Sequence, residues 1–285
     1  MKTGLVLEGG ALRTIFSSGV CDALIDLGLT CDYLVGVSAG IAYGVSYLSG
    51  QKGRNLEILT RYARDKRYMG FRNLLRRDNR CYFGLKFAYE QIPNELIPFD
   101  YDAFAAWDGE VEAVVTSLES GKAVYLPVPR EDEHFLLLQA TCAMPLLFPI
   151  FDLGDGPVLD GGVADAIPFE RALERGCDRL TVVLTRERDY HKKPERLQPL
   201  IDLTYRRWPA FCDAMRRRAE RYEAQREKLF ALEREGRVLI LEPKSTAGFS
   251  RVEQDLDKIR ALWQEGYDEG IARREELAAF LKPVT

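Results

Sequence analysis

Ser38 is framed by glycines in Gly36-Val37-Ser38-Ala39-Gly40, a G-x-S-x-G pattern. Small residues around such a serine permit a strained turn between a strand and a helix, which lifts the hydroxyl clear of the backbone as a nucleophile. The other reading of these residues is a glycine-lined turn whose serine only caps the next helix. A serine nucleophile needs a base, and the chain has two histidines. His134 follows the acidic run Glu131-Asp132-Glu133 and His191 precedes Lys192-Lys193, so both read as solvated surface residues. The base is therefore expected to be a carboxylate, whose proton affinity rises when its site is partly desolvated. Asp160 has the best setting. It ends the apolar run Pro157-Val158-Leu159 and precedes Gly161-Gly162, glycines that let another backbone come close. Asp152, Asp155 and Asp165 have poorer settings, and for Asp160 too the competing reading is a structural turn aspartate.

Negative charge developing on a carbonyl oxygen requires preorganised N–H donors. Gly9-Gly10-Ala11, between the first strand and the first helix, offers backbone amides at a helix start. Arg13 is placed to steady that loop or to bind an anionic head group. Without the serine, the loop could be read as a phosphate or dinucleotide loop. Its sequence does not spell G-x-G-x-x-G, and no GK[ST] occurs in the chain.

The elements that must hold these residues follow from periodicity. Residues 4–7 and 33–35 are short apolar runs of strand type, each followed by a glycine-containing turn and then by apolar residues at helical spacing, over 15–27 and 39–48. Gly28 stands where a helix C-terminus favours a left-handed residue. Strand, tight turn and helix, repeated, predict an α/β fold with a mostly parallel sheet in a three-layer α/β/α sandwich. Residues 111–117 and 123–126 predict a hairpin, 135–142 a buried helix, 157–159 a strand, 169–176 a helix and 180–185 a buried strand. Beyond residue 198 the composition changes. A long charged helix is expected over 211–235, a strand over 237–241 that rejoins the main sheet, and a helical stretch over 252–281 with capping-box spacing at Ser250 and Glu253. The chain thus reads as a main unit over residues 1–198 with a helical C-terminal elaboration, 199–285, packed on it. Arg216-Arg217-Arg218 reads as part of a solvated helix face, and Trp208 and Phe211 read as core anchors.

Composition sets the remaining limits. With 285 residues, 46% hydrophobic and 11% aromatic, a sizeable core is available. A formal charge of −4 argues against nucleic acid as a partner. Six cysteines without a CxxC pair fit neither zinc nor a disulfide framework and are expected as reduced, buried thiols. The N-terminal apolar run is too short for a signal peptide and no stretch reaches the length of a membrane span, so a cytoplasmic location is expected, with peripheral contact at the inner membrane surface. That contact is expected through residues 61–80. There eight basic residues (Arg61, Arg64, Lys66, Arg67, Arg72, Arg76, Arg77, Arg80) face Asp65 and Asp78, a net of +6, interleaved with Tyr68, Met69, Phe71, Leu74 and Leu75. Basic and aromatic residues together suit an anionic phospholipid surface; a surface helix followed by a solvated loop is the other reading.

The glycine loop, the G-x-S-x-G serine and the Asp-Gly-Gly aspartate, in this order, resemble the patatin-like phospholipases, the bacterial branch in particular. The stretch from Ala140 to Pro149, ending Ala143-Met144-Pro145-Leu146-Leu147-Phe148-Pro149, is also similar to one that precedes the aspartate in that family. The resemblance spans residues 4–168 and implies a lipid acyl hydrolase with a Ser-Asp dyad and no histidine. Ser38 would be the nucleophile and Asp160 the base, with Gly9, Gly10 and Ala11 as the oxyanion loop. Arg13, Gly36, Gly40, Gly161 and Gly162 would be supporting residues. The substrate would be a phospholipid or another acyl ester, with no metal or redox cofactor. Ala11 and Thr14 depart from the family, which usually has glycine at both. If Ala11 takes a positive φ, the cost is about 1 kcal/mol. A compromised oxyanion loop is the basis of the alternative, a catalytically weak or inactive lipid- or protein-binding module.

Overall fold

Among the described residues, eight strands form one sheet whose middle is built from the most apolar runs of the sequence. In chain order the strands are β1 (Thr3–Leu7), β2 (Leu29–Thr30), β3 (Tyr33–Val37), β4 (Glu110–Ser117), β5 (Ala123–Pro127), β6 (Phe151–Asp152), β7 (Pro157–Asp160), β8 (Arg179–Val183), β9 (Val238–Leu241) and β10 (Lys282–Pro283). The computed structural model describes residues 1–77, 79 and 81–284. The sheet order is β6-β7-β4-β3-β1-β8-β9, with β5 also on β4; β2 and β10 pair separately. Pairing is parallel from β4 through β3, β1 and β8 to β9 and antiparallel for β5, β6 and β7. The expected mostly parallel sheet is therefore present, and the strand over 237–241 joins it beside β8 as expected.

The helices are α1 (Ile15–Asp26), α2 (Ala39–Leu48), α3 (Arg54–Tyr62), α4 (Phe71–Leu74), α5 (Tyr101–Ala106), α6 (Leu136–Thr141), α7 (Phe169–Glu174), α8 (Gln198–Thr204), α9 (Pro209–Arg216), α10 (Arg218–Arg234), α11 (Leu256–Ala272) and α12 (Arg274–Phe280). Alternation along each buried strand divides the core. Leu5, Leu7 and Leu34 face α1, α2 and α11, while Val6, Val35 and Val37 face α7 and α10. This is the three-layer arrangement, with both sheet faces dry, as parallel strands require. A third cluster joins Leu159 and Phe148 to Phe211 and Met215 of α9; Trp208 packs at its edge, so both aromatic anchors are in place.

The C-terminal region is seated on the main unit by close backbone approach. A side chain at Gly19 of α1 would collide with the carbonyl of Trp263, and one at Gly266 of α11 with that of Phe16. The Trp263 indole donates to Asp22 at 2.7 Å across the same contact. Two helix expectations are corrected here. The stretch 211–235 is broken at Arg217, because Phe211 and Met215 point into the third cluster whereas Tyr222 and Leu229 point at the sheet. One straight helix could not bury both stripes. The final helical stretch starts at Leu256 rather than 252, capped by Asp255, whose side chain accepts from the amides of Asp257 and Lys258, and it breaks at Arg273. Ser250 and Glu253 instead shape the preceding turn, with the Ser250 amide donating to Glu253 at 3.1 Å.

All six cysteines are free and buried. In the basic segment, Asp78 and Arg80 lie outside the described residues. Of the five interleaved apolar residues, Tyr68 and Met69 are buried core, leaving Phe71, Leu74 and Leu75 at the surface, the first and last at 78% and 85% exposure.

Candidate active site

Sheet register brings the predicted residues to one place. Val37 at the end of β3 pairs with Val114 of β4, and the next residue of β4, Val115, pairs with Asp160 at the end of β7. Ser38 and Asp160 thus leave the sheet at one level, on the two sides of β4. On the other flank Leu7 pairs with Gly36, which carries the Gly9–Ala11 loop to the same edge. A Cβ built at Gly9 would lie 3.1 Å from that of Ser38.

Ser38 adopts φ 53° and ψ −132°, a conformation that non-glycine residues avoid. The surroundings hold it there. Its amide donates to Thr141 Oγ1 at 2.9 Å, and the Thr141 hydroxyl donates onward to the Val114 carbonyl. A side chain at Gly40 would come within 2.5 Å of the Leu7 carbonyl, so glycine there lets α2 start hard against β1. Gly36 meets Ile41 in the same way, and Gly161 passes over the Val114 backbone with no room for a Cβ.

Asp160 is buried beside Ser38, and the two border one cavity. Its Oδ1 accepts from the Gly162 amide at 2.7 Å. Burial raises the proton affinity of this carboxyl; Arg218, the Ser38 hydroxyl, the Gly162 amide and Lys192 act in the opposite direction. Asp152 and Asp155 are exposed, and Asp165 is occupied by Tyr125 and Gln225. His134 and His191 keep 73% and 85% of their side-chain surface exposed, in agreement with the sequence reading. Cys142 also lies near Ser38, but burial pushes its thiol up to about 12, so it stays protonated.

The loop opposite carries free donors. Among the described residues, the amides of Gly9, Gly10 and Ala11 find no acceptor. Ala11 has φ 50°, the strained conformation that the departure from glycine made a concern. Glu8 fixes the loop from below: one carboxylate oxygen accepts from the Thr185 amide and hydroxyl at 2.6 and 3.1 Å, the other from the Tyr222 hydroxyl at 2.7 Å. Arg13 is buried next to it, and among the described residues its Nε has no hydrogen-bond partner.

Two cavities meet at Ser38. One is lined mainly by apolar side chains, Tyr43, Ile58, Phe83, Tyr89, Leu138 and Phe148 among them, with Arg54 and Asn55 also on its wall. The other holds Asp160, the Gly9–Ala11 loop and several cations. Ala11, Ser38 and Met144 border both.

A family model described as patatin-like phospholipase matches residues 5–173. The chain belongs to the patatin-like phospholipase family. Patatin-like phospholipases are lipid acyl hydrolases that act on lipid esters. A second model, for a domain of unknown function (DUF6363), matches residues 208–282. Among curated proteins the chain is similar to the uncharacterized protein YjjU of Escherichia coli K12, at 25% identity over 238 residues, covering 74% of this chain and 63% of that protein. It thus spans less than two thirds of that relative's length. Among solved structures it is similar to VipD from Legionella pneumophila, with a TM-score of 0.46 and 14% identity, covering 98% of this chain and 67% of that one.

Four residues at this patatin-like site escaped the sequence reading: Thr141, Glu8, Lys192 and Arg218. Arg218 corrects an expectation outright. It is not on a solvated face; the break at Arg217 turns it inward, where its Nε donates to the Gly162 carbonyl at 2.8 Å and it lines the polar cavity. No local pattern marks it, since its neighbours Arg216 and Arg217 are exposed.

Proposed function

We propose that the chain hydrolyses acyl esters of lipids, of the phospholipase A, lysophospholipase or esterase type, with Ser38 as nucleophile and Asp160 as general base. The observation that carries this reading is the position of Ser38 at the junction of an apolar cavity fit for an acyl chain and a polar one lined by unpaired amides. The Ser38 hydroxyl attacks the ester carbonyl carbon as its proton passes to Asp160. The amides of Gly9, Gly10 and Ala11 receive the oxyanion. Collapse expels the alcohol, which takes the proton from Asp160; Asp160 then accepts a proton from the water that attacks the acyl-enzyme, and returns it to the Ser38 oxygen as the free acid leaves. Residues 1–198 form the hydrolase unit in this reading, and 199–285 the segment packed on it.

Contact with an anionic membrane is proposed through the segment around Phe71 and Leu75. Its base, Tyr68 and Phe83, forms part of the apolar cavity wall, so a bilayer at its tip would lie near the acyl site. Among the described residues no helix is long and apolar enough to cross a membrane.

The strained Ala11 favours one other reading, a binding module that has lost turnover. A fluorophosphonate probe with peptide mass spectrometry separates the two. An adduct on Ser38 that is lost in Asp160→Asn is the expected result; an unmodified Ser38 in the native chain refutes the hydrolase.

A further inference from the structure

The polar cavity beside Ser38 carries more positive charge than ester hydrolysis requires. Five cations line it, Arg13, Arg186, Lys192, Arg218 and Arg251, against two carboxylates, Glu8 and Asp160. Both oxygens of Glu8 are taken by Thr185 and Tyr222, and Asp160 accepts from the Gly162 amide. Among the described residues none of the five cations makes an ion pair, whereas Arg171, Arg188 and Arg273 elsewhere are each held by carboxylates. Their recorded partners are neutral. Arg218 donates to a carbonyl, Arg186 to the Thr246 hydroxyl, Lys192 lies 4.2 Å from the Tyr222 ring centre, and the buried Nε of Arg13 has no partner.

Gathering like charges in a half-buried cavity is unfavourable unless an anion enters it, and one member is affected by both its burial and its neighbours. Burial, then repulsion from Arg218, pulls Lys192 down to about 7. Such a site is preorganised for a compact, multiply charged oxyanion, since charge-assisted hydrogen bonds from guanidinium groups are among the strongest available.

We infer that this cavity is the head-group subsite of the substrate, and that the head group it takes is a phosphomonoester dianion on a lipid. The inference rests on Ser38 being the attacking atom. The two cavities then divide one molecule, with the acyl chain on the apolar side, the ester at Ser38 and the phosphate among the cations. Continuity with the apolar cavity favours a lipid over free phosphate. Outward the cavity meets a further space that adds Lys193 and Arg196 and one acid, Glu195, so the approach is basic as well. Choline and ethanolamine head groups, whose ammonium would enter this field, are disfavoured. Arg218 and Arg251 come from the C-terminal region, which gives that region a part in substrate selection.

The test compares three substrates with one acyl chain: a 1-acyl-glycerol 3-phosphate, its choline ester and the monoacylglycerol. The native chain is expected to favour the phosphomonoester over both in kcat/KM, and Lys192→Met or Arg251→Gln to cut the phosphomonoester-to-monoacylglycerol ratio at least tenfold. An unchanged ratio in both variants overturns the subsite. Binding to Ser38→Ala protein, read by calorimetry, removes turnover from the question. Tight binding of the phosphomonoester, weakened by either second substitution, upholds the subsite even if no ester is cleaved, in which case only the hydrolase reading fails. Inorganic phosphate is expected to bind at least tenfold more weakly than the lipid; equal affinity assigns the cavity to free phosphate and overturns the head-group inference.

Discussion

Arg218 and Asp160 are joined through a single residue, Gly162: its amide donates to the carboxylate of one, and its carbonyl accepts from the guanidinium of the other. The arginine thus fixes the turn that holds the carboxylate and also favours its charged form. Removing it, in Arg218→Met, takes away an opposing charge and should raise the proton affinity of Asp160 further. If Asp160 is the base, the acid limb of kcat/KM against pH for ester hydrolysis is expected to move to higher pH in this variant, with Arg218→Lys intermediate. An acid limb that stays in place would show that Arg218 serves packing alone.

Thr141 holds the backbone of Ser38. Its hydroxyl accepts from the Ser38 amide and donates to Val114, so Thr141→Val leaves a buried donor and a buried acceptor unsatisfied at once. A loss of about 1–3 kcal/mol in unfolding free energy is expected, together with a fall in kcat larger than any change in KM. Thr141→Ser keeps the hydroxyl and should recover most of both in denaturant melts and steady-state assays.

Ala11 is strained at φ 50°, while its amide is one of the three unpaired donors beside Ser38. Ala11→Gly relieves about 1 kcal/mol of steric cost, partly offset by the greater freedom of glycine in the unfolded chain. The melting temperature should rise by about 1–3 °C. A fall would show that the Ala11 methyl contributes packing that outweighs its backbone strain.

Local signals made Ser38 and Asp160 legible, because the glycines around each are demanded by backbone crowding at that very residue. The sheet was legible too, since its central strands are buried on both faces and read as continuous apolar runs. Arg218 was not. Its place depends on a break at Arg217 that arises only when two apolar stripes meet two different cores. Lys192 lies in the loop after β8, where charge gave no sign of direction, and Tyr68 and Met69 read as surface residues because burial by distant segments leaves no mark on a basic neighbourhood.

The exposed pair Phe71 and Leu75, with Arg72 between them, gives the membrane proposal a defined tip. Each cation near an anionic surface contributes about 1 kcal/mol. Charge reversal at Arg72, Arg76 and Arg77 should lower partitioning onto vesicles rich in anionic phospholipid at least tenfold in sedimentation, with Phe71→Ser adding to the loss. Partitioning that does not change with either set removes this segment from the membrane contact.

Lys192 offers a test of the cationic cavity through stability alone. Its folded-state value of about 7 lies well below the ordinary lysine value of about 10.4. Between those two values the unfolded chain keeps a proton that the folded chain has released. Stability therefore gains from this group as pH rises through that window, and the full cost of its charge is felt below it. The groups that set the cost are Arg218, Arg251 and Arg13, with Glu8 opposing them. Lys192→Met should raise the melting temperature at pH 6 by about 2–4 °C, the effect of roughly 1 kcal/mol in a chain of this size after allowance for solvent screening, and the gain should shrink toward pH 10. A phosphomonoester lipid should stabilise the native chain more than the variant, because the anion compensates the charge that the substitution deletes. Equal stabilisation of both would mean that the lysine does not meet the bound head group.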